Sequence, residues 1–215
     1  MSVELLRDYY PPPAGAYPFP DINHHWATIE ACIGFRFPSD YKEFCTLYGE
    51  RHEVAGWIRP SYPLGKGWEN APSDLATYVT VNLASSASFM ISHTDAAWEA
   101  WIQDVAESLF ILRVNIDAAQ ERGESDYCPY RLWPEKGGLF PWGRGDQGRP
   151  FSWLMDGDNP DRWPVVYAEP EWTEFYPTSM TGLLTAMFMQ NYGDDEILAL
   201  PSPQLDATIN LNDLW

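Results

Sequence analysis

Hydrophobic positions along this chain recur with two different periods, and the changes of period mark out its elements. Ile22, Trp26, Ile29 and Ile33 follow one another at helical spacing, with Asp21 placed as an N-cap and Gly34 where a helix-ending glycine belongs. After the Phe37-Pro38 corner, Tyr41, Phe44, Leu47 and Tyr48 share one face of a second helix that Gly49 ends. Ser92 or Thr94 is placed to cap a third helix carrying Ala97, Trp98, Trp101, Ile102 and Val105, whose outer face holds Asp95, Glu99, Asp104 and Glu107. Ser179 caps a last helix bearing Leu183, Leu184, Met187 and Phe188, closed by Gly193. Between these helices lie three short apolar segments, 139–142, 151–155 and 163–168, separated by clusters of Gly, Asp, Asn, Pro and Arg. Segments this short, rich in Trp, Phe and Val and bounded by turn formers, predict the strands of an antiparallel meander. Further strands are expected over 54–58, 110–116 and 172–176. Residues 74–84 fit a helix and a strand equally, and 117–126 read as polar loop or short helix.

The organisation that follows is α+β, a single domain over 21–193 with a mostly antiparallel sheet flanked by helices. Residues 1–20 end in PPPAGAYPFP, which cannot be helical and predicts an extended, Pro-rich lead-in. Residues 194–215 form an acidic tail that still carries Ile197, Leu198, Leu200, Leu211 and Trp215, so it is expected to pack on the body.

Charge sharpens this picture. Asp and Glu total 31 against 13 Lys and Arg, a net charge of −18. Such a balance argues against nucleic-acid or anionic-membrane binding, which need basic surface, and suits a basic protein partner. From 163 to 215 no Lys or Arg occurs at all. No apolar run approaches the ~20 residues that span a bilayer, and the N-terminus shows no secretory pattern. The three cysteines, Cys32, Cys45 and Cys128, match neither a zinc site nor a disulfide framework. A cytoplasmic location is the expectation.

Motifs that could carry chemistry are weak. Gly143 to Gly148 matches G-x-G-x-x-G, but Arg149-Pro150 and another strand-like run follow where a dinucleotide site requires a helix. A glycine hairpin is the expected form. Asp156 to Asp161 resembles a calcium loop, yet Pro160 and Asp161 stand at the fifth and sixth positions and Tyr167 where the bidentate Glu belongs. An Asp/Asn-rich turn accounts for it better. His24 and His25 would point about 100° apart on a helix and could not chelate one ion. Cys45 sits on the apolar side of the second helix as a small buried hydrophobe. Glu169 and Glu171 lie two apart on one strand face and could in principle do acid–base work. An exposed strand face is the simpler expectation for them. No catalytic residue, metal ligand or cofactor site is assigned.

Three separated stretches nonetheless resemble one family. They are Trp26-x-x-Ile29-Glu30 with Phe37-Pro38-x-Asp40-Tyr41-x-x-Phe44 and Tyr48-Gly49; Pro134-x-x-Gly137-Gly138-Leu139-x-Pro141-Trp142-Gly143; and Trp163-Pro164-Val165-Val166 with a closing helix after Ser179. In order and spacing they resemble the SUKH superfamily, which includes yeast cell-wall synthesis regulators and many bacterial immunity proteins. The resemblance implies an α+β fold with a curved, mostly antiparallel sheet. It also implies a non-catalytic role, the binding and neutralising of a polymorphic toxin, often a nuclease. The alternative role is that of the fungal relatives, an interaction scaffold in cell-wall or regulatory assemblies. An inhibitor of a basic nuclease would itself be acidic, so Asp156, Asp158, Asp161, Glu169, Glu171 and Glu174 are the expected partner-binding residues.

Overall fold

The computed structural model describes residues 3–14, 22–49, 53–54, 58–84, 96–124, 127–145, 148–169 and 173–189, with the backbone alone at 81–84. Among these residues six helices and one five-stranded antiparallel sheet make an α+β fold. Helix α1 spans Val3–Tyr9, α2 Ile22–Ile33, α3 Ser39–Tyr48, α4 Leu75–Ala84, α5 Ala97–Glu121 and α6 Met180–Met189. Strands β1 (Arg59–Pro60), β2 (Leu139–Arg144), β3 (Pro150–Leu154), β4 (Val165–Ala168) and β5 (Thr173–Tyr176) lie side by side in chain order. Asp21, Ser92, Thr94, Glu171, Trp172, Gly193 and the tail 194–215 lie outside the described residues.

The meander forms where short apolar runs alternate with turn formers. Phe140 pairs with Trp153, Trp153 with Val165 and Val165 with Tyr176, so one face of the sheet is a continuous row of large side chains. Every residue of β3 and β4 is buried, which is why both read as unbroken apolar runs. Helices α3 and α5 cover the aromatic face. Tyr41 meets the Trp153 ring at 4.9 Å, and Trp101 meets Phe140 at 6.0 Å. Gly138 opens β2 because no other residue fits there: a Cβ would lie 2.6 Å from the carbonyl carbon of Leu132.

Three expectations need correction, and one left open is settled. Residues 110–116 are not a strand but the middle of α5. Nothing between Ala97 and Glu121 ends a helix, and Leu109 and Leu112 continue the buried face begun by Trp98, Trp101, Ile102 and Val105. The β-branched residues of this stretch that suggested a strand are instead turned partly or wholly outward, as Val114 is. Of the strand expected over 54–58, Val54 and Ile58 are described, and neither belongs to a strand of the sheet. Val54 and Ile58 bond to each other, each N–H donating to the other's carbonyl, and Arg59 and Pro60 pair with β2. Residues 74–84 resolve as helix α4, because the Asp74 carboxylate accepts from the Thr77 N–H at 3.0 Å and its hydroxyl at 2.6 Å. The N-terminal lead-in contains helix α1, whose Val3 and Leu6 are fully buried. Tyr10 anchors it further by stacking between Tyr48 and Phe188.

Helix ends are held by carboxylates from distant parts of the chain. The Asp161 carboxylate accepts from the Ser39 N–H at 2.6 Å, at the start of α3. Asp40, in the first turn of α3, accepts from the N–H and hydroxyl of Thr181 at 3.0 and 2.8 Å, at the start of α6. Each pairing satisfies an N–H that the helix itself leaves free and places negative charge at the positive end of the dipole. Ser179 adds the expected local cap, accepting from the Gly182 N–H at 3.3 Å. Asp40→Ala should therefore lower stability by about 1–2 kcal/mol, the range for a lost cap. Glu43→Ala, at an exposed position of the same helix, should stay within about 0.5 kcal/mol of the parent. Urea denaturation of the two variants, measured side by side, checks the difference.

Candidate functional site

Three loops enclose a groove of about 900 Å³. One wall is the α2–α3 corner, Gly34 to Arg36, made possible by a positive φ of 83° at Gly34 that stops α2. A second is the turn from Trp133 to Gly137 that leads into β2. The third is the β3–β4 connection, to which Met155, Gly157, Asp158, Pro160 and Trp163 contribute. That connection is stiffened from within: Asn159 accepts from the Asp161 N–H at 3.2 Å, and the Trp163 indole N–H donates to the Gly157 carbonyl at 3.2 Å. Glu30, Pro134, Gly137 and Trp163, all part of the quoted stretches, line this groove together.

The six acidic residues expected at a partner surface separate into different roles. Asp156 and Asp158 are exposed, their carboxylates bond to no described residue, and Asp158 stands on the groove wall. Asp161 is exposed but holds the start of α3. Among the described residues, no group of three His, Cys, Asp or Glu side chains is placed to hold a metal ion. Glu171 lies outside the described residues. Glu169 does not lie on an exposed strand face, as expected, but is 7 % exposed. Its carboxylate is ion-paired with Arg149 and accepts from the Tyr167 hydroxyl at 2.8 Å. Removing so buried a carboxylate from water is tolerable only because both partners are present.

Arg149 is a residue that sequence reading missed, although the strand register predicts it. Phe151 faces Tyr167 across β3 and β4, so two residues further out Arg149 faces Glu169. The signal becomes visible only once the register is known.

Glu174, on β5, sits directly opposite Tyr167 and is half-buried beside this pair. Burial first, and then repulsion from the Glu169 carboxylate, raise its carboxyl from the ordinary 4.5 to about 7. The Tyr176 hydroxyl bonds to it. Burial pushes the Tyr167 hydroxyl well up too, with Glu169 adding to the effect. A carboxyl that is half-protonated near neutrality could exchange a proton with a bound molecule, but neither Glu169 nor Glu174 lines the groove. Burial likewise pushes the Cys45 thiol far up, which removes its nucleophilic form.

No family model, curated protein or solved structure matches the chain. The likeness to the SUKH superfamily therefore rests on the quoted residues and their order. Among the described residues no helix is long and apolar enough to cross a membrane.

The Glu174 environment has a definite pH signature. A carboxyl whose folded-state pKa stands above its unfolded value binds its proton more tightly in the fold. Its contribution to stability is thus fully present below 4.5 and is lost as the pH climbs through about 7. Glu174→Gln should match the parent near the acid end of that window. At pH 8 it should be more stable by about 1–2 kcal/mol, a figure reduced for the solvent that reaches a half-buried group. Thermal melts of both proteins between pH 4 and 8 check this, and equal slopes would refute it.

Proposed function

We propose that this chain is a non-catalytic, protein-binding domain acting in the cytoplasm as an immunity protein, which neutralises a basic toxin domain by direct contact. The observation that carries the reading is the state of Asp156 and Asp158. Both are exposed, neither carboxylate bonds to any described residue, and Asp158 stands on the wall of a groove of about 900 Å³. Other carboxylates near this end of the molecule are already engaged: Glu30 with Lys42 and the Phe37 N–H, Asp161 with Ser39, and Asp40 with Thr181. Carboxylates without internal partners on the lip of a concave surface are available to cations of another protein.

Two further facts support the same reading. A net charge of −18 speeds the approach of a basic partner over distances longer than any single contact. A toxin that acts on nucleic acid is basic for the reason that its substrate is a chain of phosphates. The resemblance of the quoted stretches to the SUKH superfamily points to the same role.

The test is capture of the partner from the source cells, or co-expression with a large secreted protein encoded beside this one. A stoichiometric complex with its basic C-terminal domain, together with rescue from its toxicity, is the expected result. Within that complex, Asp156→Lys combined with Asp158→Lys should weaken affinity at least tenfold and flatten its dependence on salt, with the denaturation midpoint unchanged. Recovery of endogenous wall or regulatory proteins alone, without rescue, would replace this reading with that of an assembly scaffold.

A further inference from the structure

Beyond the ridge formed by Trp133, Pro134 and Glu135, on the side away from the groove, a second cavity of about 360 Å³ opens between α4, α5 and this same turn. Leu109, Leu132 and Trp133 are its buried apolar walls, and Thr80, Phe110 and Arg113 complete it. Phe110 is 52 % exposed, and Val114, four residues on along the same helix face, is 46 % exposed. Large apolar side chains in contiguous exposed positions beside a cavity mark a surface that gains by being covered.

The cations around the ridge indicate the covering partner. Lys42, Arg59, Arg122, Arg131, Arg144 and Arg149 each pair with a carboxylate. Arg36, Lys136 and Arg113 have no ion pair with any described carboxylate, although this chain carries 31 acidic residues. Arg113 lines the cavity, and Arg36 and Lys136 line the groove across the ridge. The nearby anions are neutralised: Arg131 lies 3.6 Å from Glu135, and Lys42 lies 2.9 Å from Glu30. Asp158, the groove's free carboxylate, does not line the cavity. Among the charged residues that line the two cavities, those without an ion pair to a described residue are Arg36, Arg113 and Lys136 against Asp158. At physiological salt, charges more than about 8 Å away are largely screened, so the nearby cations dominate what binds there.

We propose that this cavity docks an acidic peptide segment of a partner protein through one aromatic or leucine side chain. The anchor enters beside Phe110 and over Leu109, and carboxylates flanking it meet Arg113 on one side and Lys136 and Arg36 across the ridge. A cavity of this size is at the small end of those that hold ligands and suits a single large side chain. The Arg113 guanidinium offers the forked donors that a carboxylate accepts in pairs. The site does not depend on the basic partner assigned to Asp156 and Asp158.

The experiment is selection of seven-residue peptides from a displayed random library on the full chain. Parallel selections use Phe110→Ser and Arg113→Glu, both at exposed helix positions where the fold should persist, as circular dichroism and denaturation midpoints would verify. The parent should enrich peptides with an aromatic or leucine residue flanked by Asp or Glu, and each variant should lose them. A synthetic copy of the winning peptide should bind the parent at least tenfold more tightly than either variant. It should bind the Asp156→Lys, Asp158→Lys protein at least as tightly as the parent, since Asp158 shares the groove with Arg36 and Lys136, whereas the toxin domain should bind that protein more weakly. Enrichment of basic or uncharged peptides, or of none that depends on Phe110 and Arg113, would overturn the proposal. So would a parent dimer in sedimentation that Phe110→Ser dissolves, since a second copy would then be the occupant.

Discussion

The ring of Phe37 is the point at which the layers of this protein are tied together. Six aromatic rings surround it, from Trp26 on α2, Phe35 at the corner, Tyr41 on α3, Trp101 on α5, Phe140 on β2 and Trp153 on β3. Their centroids lie between 5.3 and 6.3 Å away, mostly edge-to-face, the arrangement that ring quadrupoles favour. Phe37 carries no polar atom on its side chain, so it can be enclosed on every side without an unmet hydrogen bond. Its backbone N–H is held by the Glu30 carboxylate at 3.0 Å, which fixes the corner where α2 turns into α3. That corner is also a wall of the groove. The concave surface and the core are consequently set by the same few residues, and the groove cannot change shape without disturbing the rings behind it.

Around this apolar centre the acidic residues divide by whether they meet a donor of the same chain. Glu30, Asp40, Asp161 and Glu169 are each committed to a backbone N–H, a hydroxyl or a cation within the fold. Asp156 and Asp158 are not. A single figure for net charge merges these two populations, although only the second can take part in recognition. The same division applies to the cations, where Arg149 is committed to Glu169 while Arg36, Arg113 and Lys136 are exposed and pair with no described carboxylate.

Local signals in the chain were sufficient for α2, α3 and the meander, because in each the side-chain period and the terminating residue agree. Gly34 and Gly49 both adopt the positive φ that their place after a helix demands. Local signals failed where two periods overlapped. The β-branched and aromatic residues of 110–116 outweighed the helical pattern that begins at Trp98, and only packing against β2 and β3 decides between them. They failed again for Glu169, whose burial depends on a cross-strand neighbour twenty residues earlier in the chain. Asp161 looked like a free turn carboxylate for a related reason: its acceptor role is to a helix 122 positions away. Of the candidate site, the exposed Asp156 and Asp158 were legible, because a turn rich in Asp and Gly has few ways to bury them.

The two long-range caps impose an order on synthesis. Helix α3 is completed by a carboxylate from the β3–β4 connection, and α6 by one from α3, across sequence separations of 122 and 141 residues. Contacts of such separation form late, because a long loop must close before they contribute. A ribosome making this chain releases α3 well before Asp161, which caps its start, has been made. Until Asp161 has left the exit tunnel, the Ser39 N–H at the start of α3 lacks this acceptor.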